Sequence, residues 1–223
     1  MESYSRVGIA ITHRNREEAF NKTYSNIVKH IPKEAVLVVV DDASDVPCEL
    51  ADHRFEDRAG ISVAKNKCIS LLYDKGCEYF FLFDSDVYPI VDDWHLPYIN
   101  SPHPHLCYTF LPHTRIVDGH KYHALGNGCM MYIHRSVVEK IGGFDTDLFC
   151  KFEHVQFSHR AHAAGLIPHP FIDVVGSDKL FHAMDERNEV IRTFTDEERD
   201  KLMAENRAHY YKTRNLTDFI PYK

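Results

Sequence analysis

Two aspartates separated by one serine follow a run of aromatic and aliphatic residues, with Asp84-Ser85-Asp86 directly after residues 79–83. The run is typical of a buried strand, so both carboxylates would lie at the end of that strand. Like charges crowded there are costly unless a cation or hydrogen-bond donors are present. Carboxylate oxygens are the ligands that Mg²⁺ and Mn²⁺ prefer. An isolated Asp-x-Asp is usually a solvated turn, but this context predicts that Asp84 and Asp86 hold a divalent cation.

Polar pairs also follow two other apolar runs. Thr12-His13 comes after residues 7–11, and Asp41-Asp42 comes after residues 35–40. In open α/β sheets the ligand crevice lies beyond the carboxyl ends of the strands, so we expect the three polar clusters to converge there. A competing interpretation makes Asp41 and Asp42 a turn that caps the next segment through side-chain hydrogen bonds.

The elements that must position these residues alternate between strands and helices in the first half. Strands are predicted at 7–11, 35–40 and 79–83, with a helix between each pair. The first helix opens at Asn15, with Glu18 in the capping-box position, and the second starts after Gly60 and ends near Gly76. This alternation indicates a parallel α/β sheet with right-handed crossovers.

The second half is less regular. A strand is expected near 106–111, and an apolar segment spans 125–133. Capping-box pairs, Ser136 with Glu139 and Thr195 with Glu198, predict helices at about 136–141 and 195–211, and a third helix is expected at 153–164. From the length of the chain we expect one domain over 1–223.

Composition narrows the class of protein. The chain has 223 residues, 44% of them hydrophobic and 26% charged, which is typical of a globular domain. A formal charge of -7 argues against general binding to nucleic acid or anionic lipid. No apolar run approaches the length of a membrane span, and the N-terminal residues lack a signal-peptide pattern. Six scattered cysteines without a Cys-x-x-Cys pair fit reduced thiols, so a cytoplasmic protein is expected.

Several short motifs occur in a characteristic order. They are Ile-Thr-His-Arg-Asn-Arg at 11–16, Val-Val-Asp-Asp-Ala-Ser at 39–44, Ala-Lys-Asn at 64–66, Phe-Asp-Ser-Asp at 83–86, Gly-Asn-Gly-Cys-Met-Met at 126–131, Arg-Ser at 135–136 and Ile-Gly-Gly-Phe-Asp at 141–145. In this order and spacing the chain resembles a GT-A fold glycosyltransferase of family 2 over about residues 6–167. The resemblance implies a Rossmann-like mixed α/β sheet flanked by helices. It also implies a nucleotide-binding part of about 1–90 and an acceptor-side part of about 91–223.

The resemblance also implies roles for individual residues. Nucleotide-sugar binding would involve Thr12, His13, Asp41, Asp42, Lys65, Asn66, Asp84, Ser85, Gly126 and Asn127. Metal binding, of Mn²⁺ or Mg²⁺, would involve Asp84, Asp86 and, as a third ligand, His182. Acceptor-side contacts would come from Phe144 and Asp145. Trp94, the only tryptophan, lies on an irregular stretch, and its residue type, rather than the resemblance, predicts that it stacks on a sugar of the acceptor or donor. The alternative for Lys65 and Asn66 is an exposed helix face, and the alternative for Trp94 is a core position.

The expected catalytic base departs from the family pattern. Related enzymes place Glu-Asp at the start of a helix, whereas this chain has Glu153-His154. Either side chain can accept a proton from an acceptor hydroxyl. A carboxylate can act as a general base, and so can an imidazole, which titrates near neutrality. Glu153 as base, His154 as base, and a purely structural helix start remain open interpretations.

The function implied is transfer of a hexosyl or N-acetylhexosaminyl group, with inversion, from a uridine diphosphate sugar to a hydroxyl on a glycan, protein or other acceptor. A sugar-phosphate nucleotidyltransferase is the competing enzyme class, but it requires a Gly-rich phosphate loop after the first strand, and residues 12–15 contain no glycine. A third interpretation is a degenerate module that binds sugar or nucleotide without turnover.

Overall fold

The computed structural model describes residues 6–185, 187, 189 and 195–223. Its strands are β1 (Val7–His13), β2 (Val36–Asp41), β3 (His53–Arg54), β4 (Tyr79–Asp84), β5 (Val87–Pro89), β6 (His105–Cys107), β7 (His113–Val117), β8 (His120–His123), β9 (Met130–His134), β10 (Ile172–Val174) and β11 (Phe181–Ala183). Its helices are α1 (Glu17–Lys29), α2 (Ile61–Asp74), α3 (Leu96–Ile99), α4 (Arg135–Ile141), α5 (Glu153–Ala163) and α6 (Asp196–Thr213), with a 3-10 helix at Ser177–Lys179.

The central sheet has six strands in the order β3-β2-β1-β4-β9-β6. The strands β1 to β4 run parallel, as the alternating sequence pattern predicts, whereas β9 pairs antiparallel with both β4 and β6. The sheet is therefore mixed. The apolar runs of β2 and β4 are almost entirely buried, which explains why these strands lack hydrophobic-polar alternation.

Helix boundaries confirm some capping predictions and correct others. Thr195 and Glu198 form the predicted capping box at the start of α6. The box predicted around Glu18 is absent, because Asn15 takes a positive φ of 51° and Arg16 is the N-cap, without a side-chain bond. At α4 the His134 side chain, rather than Ser136, accepts the capping hydrogen bond.

Two small sheets complete the second half, one in the order β10-β8-β7 and one pairing β11 with β5. The sequence did not indicate them, because each contains strands of only three to five residues. The strand expected near 106–111 is limited to β6, after which Thr109 leaves the sheet and donates its amide to Asp173 Oδ2 at 3.2 Å.

Trp94 is buried in the core. Its exposed fraction is 0%, its ring packs edge-on against Phe81 and Phe83, and its Nε1–H donates to the backbone oxygen of His30 at 3.0 Å. The expectation that Trp94 contacts a sugar is therefore corrected to the core alternative, since a ring without exposed surface cannot stack on a ligand. In the described part of the chain, none of the helices combines the length and the apolar character needed to cross a membrane.

Candidate active site

A cleft opens at the carboxyl ends of β1, β2 and β4, as expected for ligand binding to an open α/β sheet. Its volume is about 340 Å³, and its lining includes Thr12, His13, Asp42 and Asp84. Strand register places these residues, because Thr12 lies directly beside Asp84 on the neighbouring strand. The Thr12 hydroxyl is 3.4 Å from Asp84 Oδ1. The sheet thus brings the predicted polar clusters to one edge.

Asp84, Ser85 and Asp86 all line this cleft. The Asp86 carboxylate accepts a hydrogen bond from Arg16 Nη1 at 2.8 Å. Burial and the negative charges of Asp84 and Asp185 raise the pKa of Asp86, although Arg16 opposes the shift. Hard carboxylate oxygens that repel one another in a buried cleft are a suitable donor set for Mg²⁺ or Mn²⁺, because the cation relieves the repulsion. The residues present therefore fit the cation that the sequence predicts.

Lys65 is completely buried beneath the cleft and joins two of its carboxylates. Its Nζ lies 3.3 Å from Asp84 Oδ1 and 3.1 Å from Glu153 Oε1. Burial alone would lower the pKa of Lys65, but the two carboxylates outweigh it and raise the pKa above its usual value. The alternative of an exposed helix face is wrong for this residue. Lys65 instead connects the end of β4 to the start of α5.

Glu153 and His154 line the cleft from the start of α5, on the side formed by helix and loop rather than by strand ends. Burial alone would raise the pKa of Glu153, but Lys65 and His154 hold it well below its usual range. His154 Nδ1 lies 3.2 Å from Glu153 Oε1, and its Nε2 lies 3.2 Å from the oxygen of Gly126. Gly128 makes room for this ring, since a Cβ there would lie 2.2 Å from the His154 Cγ atom. The imidazole is thus fixed by contacts on both sides.

The chain enters α5 through a strained turn. Lys151 and Phe152 have φ values of 72° and 66°, in the left-handed region that non-glycine residues rarely adopt. Such a conformation costs about 1 to 3 kcal/mol per residue, and it persists only where surrounding contacts impose it. Cys150 and Lys151 line the cleft, so the strain lies next to the functional groups.

Positive side chains around the cleft were missed by the sequence interpretation. Arg14, Arg16, Arg58 and Lys151 all line it. Arg14 Nη1 also donates to the oxygens of Asp42 and Ala43, which ties the loop after β1 to the loop after β2. The first two arginines belong to the motif at 11–16 and could have been found there, whereas nothing local distinguishes Arg58 or Lys151 from surface charge.

Two predicted ligand-binding residues turn away from the cleft. The Asp41 carboxylate is buried and accepts hydrogen bonds from the Ser44 hydroxyl at 2.5 Å and the Cys48 amide at 3.1 Å. Asn66 is also buried, and it bonds to both the amide and the oxygen of Phe144. Asp41 therefore matches the turn interpretation, and Asn66 positions the loop after α4. Asp42 lines the cleft, while its oxygens accept from the amides of Ala59 and Gly60.

His182, the expected third metal ligand, does not line the cleft. Its ring stacks on Tyr88 with centroids 4.9 Å apart, and its Nε2 donates to Glu189 Oε2 at 2.9 Å. Asp185 lines the cleft from the same segment instead. Alternation along β11 turns neighbouring side chains to opposite faces, and the sequence alone did not show which face carries the site.

Some of the remaining predicted residues lie at the cleft, and others lie away from it. Asn127 lines the cleft, and Gly126 contributes the backbone oxygen near His154. Phe144 has no exposed surface and stacks on Phe157. Asp145 lies outside the cleft, and its carboxylate accepts from His209 Nε2 at 2.7 Å. Neither acceptor-side residue, Phe144 or Asp145, reaches the cleft.

Asp145, Asp147 and His209 form a separate group whose ligand atoms lie within 4.8 Å of one another. Both Asp145 oxygens already have donors, from the Asp147 amide and from the side chains of Gln156 and His209. These hydrogen bonds account for the cluster as a contact between α6 and the loop after α4.

Comparisons with known proteins identify the fold. A mannosyltransferase from Pyrobaculum calidifontis, solved with GDP-Man and Mn²⁺, is 18% identical, with a TM-score of 0.54 over 74% of this chain and 54% of that chain. A β-1,4-galactosyltransferase 7 variant from Drosophila, solved with manganese, UDP-Gal and xylobiose, is 16% identical, with a TM-score of 0.55 over 87% and 79%. TarS from S. aureus, in complex with UDP, is 14% identical, with a TM-score of 0.56 over 93% and 72%.

The chain spans about half the length of the mannosyltransferase chain. No protein-family model matches the sequence, and no curated protein sequence matches it. The expected GT-A glycosyltransferase fold is confirmed, with a mixed α/β sheet flanked by helices.

Proposed function

We propose that this chain is a metal-dependent glycosyltransferase that moves a glycosyl group from a nucleoside diphosphate sugar to an acceptor hydroxyl with inversion. The observation that carries the proposal is the placement of Asp84 and Asp86 in one cleft with Glu153 and His154, within a GT-A fold. A uridine diphosphate sugar is the first donor to test, because two of the similar structures contain UDP or UDP-Gal.

The donor side of the cleft suits a nucleoside diphosphate. Thr12 and Asp42 lie at strand ends where a base or ribose would bind, and Arg14, Arg58 and Lys151 supply positive charge for phosphates. Mn²⁺ or Mg²⁺ held by Asp84 and Asp86 would stabilise negative charge on the departing diphosphate. Arg16, paired with Asp86, adds a further positive charge at that position.

His154 is the proposed base, and Glu153 orients it. The Glu153 carboxylate is held by Lys65, and its low pKa makes it a poor proton acceptor. In the structure both ring nitrogens face acceptor oxygens, Nδ1 that of Glu153 and Nε2 that of Gly126. To act as base, the ring keeps one proton on Nδ1, donated to Glu153, and its Nε2 releases the Gly126 oxygen, which leaves the Nε2 lone pair for the acceptor hydroxyl. The acceptor oxygen forms a bond to the anomeric carbon, the bond from that carbon to the phosphate oxygen breaks, and the hydroxyl proton passes to Nε2. The nucleoside diphosphate leaves with the bonding electron pair.

The central test is manganese-dependent hydrolysis or transfer of a uridine diphosphate sugar by the purified protein. Replacing Asp86 by Ala should lower the rate about a hundredfold or more, because a charge-stabilising ligand at the leaving group is lost. Asp200→Ala, which removes an exposed carboxylate on α6, is the matched control and should leave the rate unchanged. If neither manganese nor Asp86→Ala changes donor binding or turnover, the proposal is wrong. Binding without turnover would favour the degenerate module instead.

The assignment of the base is tested by two separate variants. His154→Ala should lower transfer about a hundredfold to ten-thousandfold with donor binding preserved, which is the range for loss of a general base. Glu153→Gln should cost less, because the ring stays and loses only its charged partner. His162→Ala, on the exposed side of α5, serves as the control. Full activity in both cleft variants would show that neither Glu153 nor His154 takes part in transfer. A larger loss in Glu153→Gln than in His154→Ala would make Glu153 the base.

A further inference from the structure

Helix α6 contacts the loop before α5 and the first turns of α5 through a face of polar and aromatic side chains. Asn206, His209, Tyr210 and Thr213 follow the three-and-four spacing of one helix side, and all four meet residues between 145 and 156. The face is polar and aromatic at these four positions, and Leu202 and Met203, one turn earlier on the same side, are only half-buried. A helix face with little buried aliphatic surface gains little from nonspecific burial, so its position depends on these individual contacts.

Two of these contacts hold the strained turn. The Asn206 side chain is buried, and its Nδ2 donates to the backbone oxygens of Cys150 and Lys151. The Tyr210 ring stacks on Phe152, with centroids 5.1 Å apart and planes 22° from parallel. Lys151 and Phe152 are consecutive non-glycine residues that both have positive φ. The helix therefore supplies, at the point of strain, contacts that this conformation requires.

The turn determines where the cleft groups lie. Phe152 is the N-cap of α5, and its oxygen accepts from the Gln156 amide at 2.8 Å. Cys150 and Lys151 line the cleft before it, and Glu153 and His154 line the cleft after it. The backbone oxygen of Phe149 accepts a hydrogen bond from the Ile61 amide at 3.0 Å, so the chain just before the turn is also fixed to α2. A change in the left-handed residues would move Glu153 and His154 relative to Asp84.

We propose that α6 is a positioning element of the active site, in which Asn206 and Tyr210 hold the 150–152 turn so that Glu153 and His154 face the metal-binding aspartates. The contacts of Asn206 and Tyr210 with the turn are observed in the structure, while their effect on catalysis rests on the proposed function. Neither side chain lines the cleft, so both act through the turn.

The experiment compares four variants of the full chain. Asn206→Asp keeps the side-chain shape but loses the donor, and Tyr210→Leu removes the stacked ring. Tyr210→Phe keeps the ring, and Arg207→Ala alters an exposed residue on the same helix. Each protein is assayed for kcat and KM of donor turnover, for binding of UDP with Mn²⁺ by calorimetry, and for hydrogen exchange of the Gln156 and Ile61 amides.

Asn206→Asp and Tyr210→Leu should lower kcat about tenfold or more while binding of UDP with Mn²⁺ is unchanged, because misplacing a reacting group by a fraction of an ångström costs rate rather than affinity. Exchange of the Gln156 amide should rise in the same two variants, with β1 and β4 amides unaffected. Tyr210→Phe and Arg207→Ala should behave as the unaltered protein.

Unchanged kcat and unchanged Gln156 exchange in both variants would overturn the proposal. A uniform rise in exchange across β1, β4 and α5 would also overturn it, since α6 would then stabilise the whole fold rather than the turn. If the unaltered protein turns over no donor, the proposed function fails, and Gln156 exchange alone decides whether α6 holds the turn.

Discussion

The two sides of the cleft are built in different ways. On the donor side, backbone pairing between strands places the residues, as with Thr12 beside Asp84. On the other side, the loop after α4 is placed by side chains from distant elements. Asn66 bonds to Phe144, and the buried guanidinium of Arg160 donates to the oxygens of Ile141 and Gly143. The sheet therefore fixes one side, whereas a few specific contacts fix the other.

This difference suggests which parts of the cleft substitutions can reshape independently. Substitutions in the loop or in α6 can reshape the side near Glu153 without disturbing the sheet that carries Asp84 and Asp86. Lys65 limits that independence, because its ammonium group joins Asp84 on one side to Glu153 on the other.

The largest effect is expected at Lys65. Lys65→Met has similar volume but leaves the Asp84 and Glu153 carboxylates without their shared cation. Removing one partner of a buried ion pair costs about 3 to 5 kcal/mol, so the free energy of unfolding should fall by that amount. Urea denaturation followed by circular dichroism measures it.

Lys67→Met provides the control for that measurement, since Lys67 lies two residues along α2 and is only half-buried. Its unfolding free energy should change by less than about 0.5 kcal/mol. A loss equally small for Lys65→Met would mean that the two sides of the cleft do not depend on this ion pair.

An intermediate effect is expected at His105, which links β6 to α5. Its Nδ1–H donates to the oxygen of Tyr132 at 2.8 Å, and its Nε2 accepts from the Ser158 hydroxyl at 2.9 Å. Burial lowers the pKa of His105 to about 4 from the ordinary value of 6.5. As the pH falls from about 6.5 towards 4, the unfolded chain takes up the proton first, so stability is lost.

Between pH 7.5 and pH 5, His105 alone should reduce the free energy of unfolding by about 2 kcal/mol. His105→Gln should remove that part of the pH dependence, even if the variant is less stable at pH 7.5. Urea titrations of both proteins at the two pH values give the comparison. Equal losses in the two proteins would show that His105 is not held neutral by its site.

The smallest effect is expected at His209, where α6 contacts the loop through a partly exposed pair. His209→Ala removes the 2.7 Å hydrogen bond to Asp145, which should cost at most about 1 kcal/mol because solvent screens the interaction. Thermal denaturation is sufficient to detect it. A loss above about 3 kcal/mol would contradict the view that the outer contact of α6 is weak and that Asn206 and Tyr210 carry the specific role.

The central elements could be predicted from the sequence because their signals are local. The apolar runs of β1, β2 and β4 and the helical spacing of α2 each lie within a dozen or so residues. The aspartate pair that lines the cleft was found for the same reason, since Asp84 and Asp86 follow a buried strand directly. The short strands of the second half were missed, because three residues carry no periodicity that distinguishes a strand from a loop.

The individual roles in the second half could not be predicted in the same way. Trp94 was expected to contact a sugar but is buried in the aromatic core, and His182 was expected at the metal but lies against Tyr88. Residue type suggested the sugar contact of Trp94, and the family resemblance suggested the metal contact of His182. Which face of a short strand or loop meets the cleft depends on packing against other elements, which one sequence does not show.

By itself, the sequence determined the α/β order, the strand-end clusters and the candidate carboxylates and imidazoles for binding a cation or accepting a proton. Only the tertiary structure decided that Asp42 rather than Asp41 faces the cleft, that Lys65 pairs with Glu153 across 88 residues of chain, and that α6 contacts the turn before α5. The physical reason is the separation in sequence between the residues that interact. Backbone periodicity and strand ends follow from neighbours in sequence, whereas the placement of a loop depends on hydrogen bonds and ring contacts that form only when distant segments pack together.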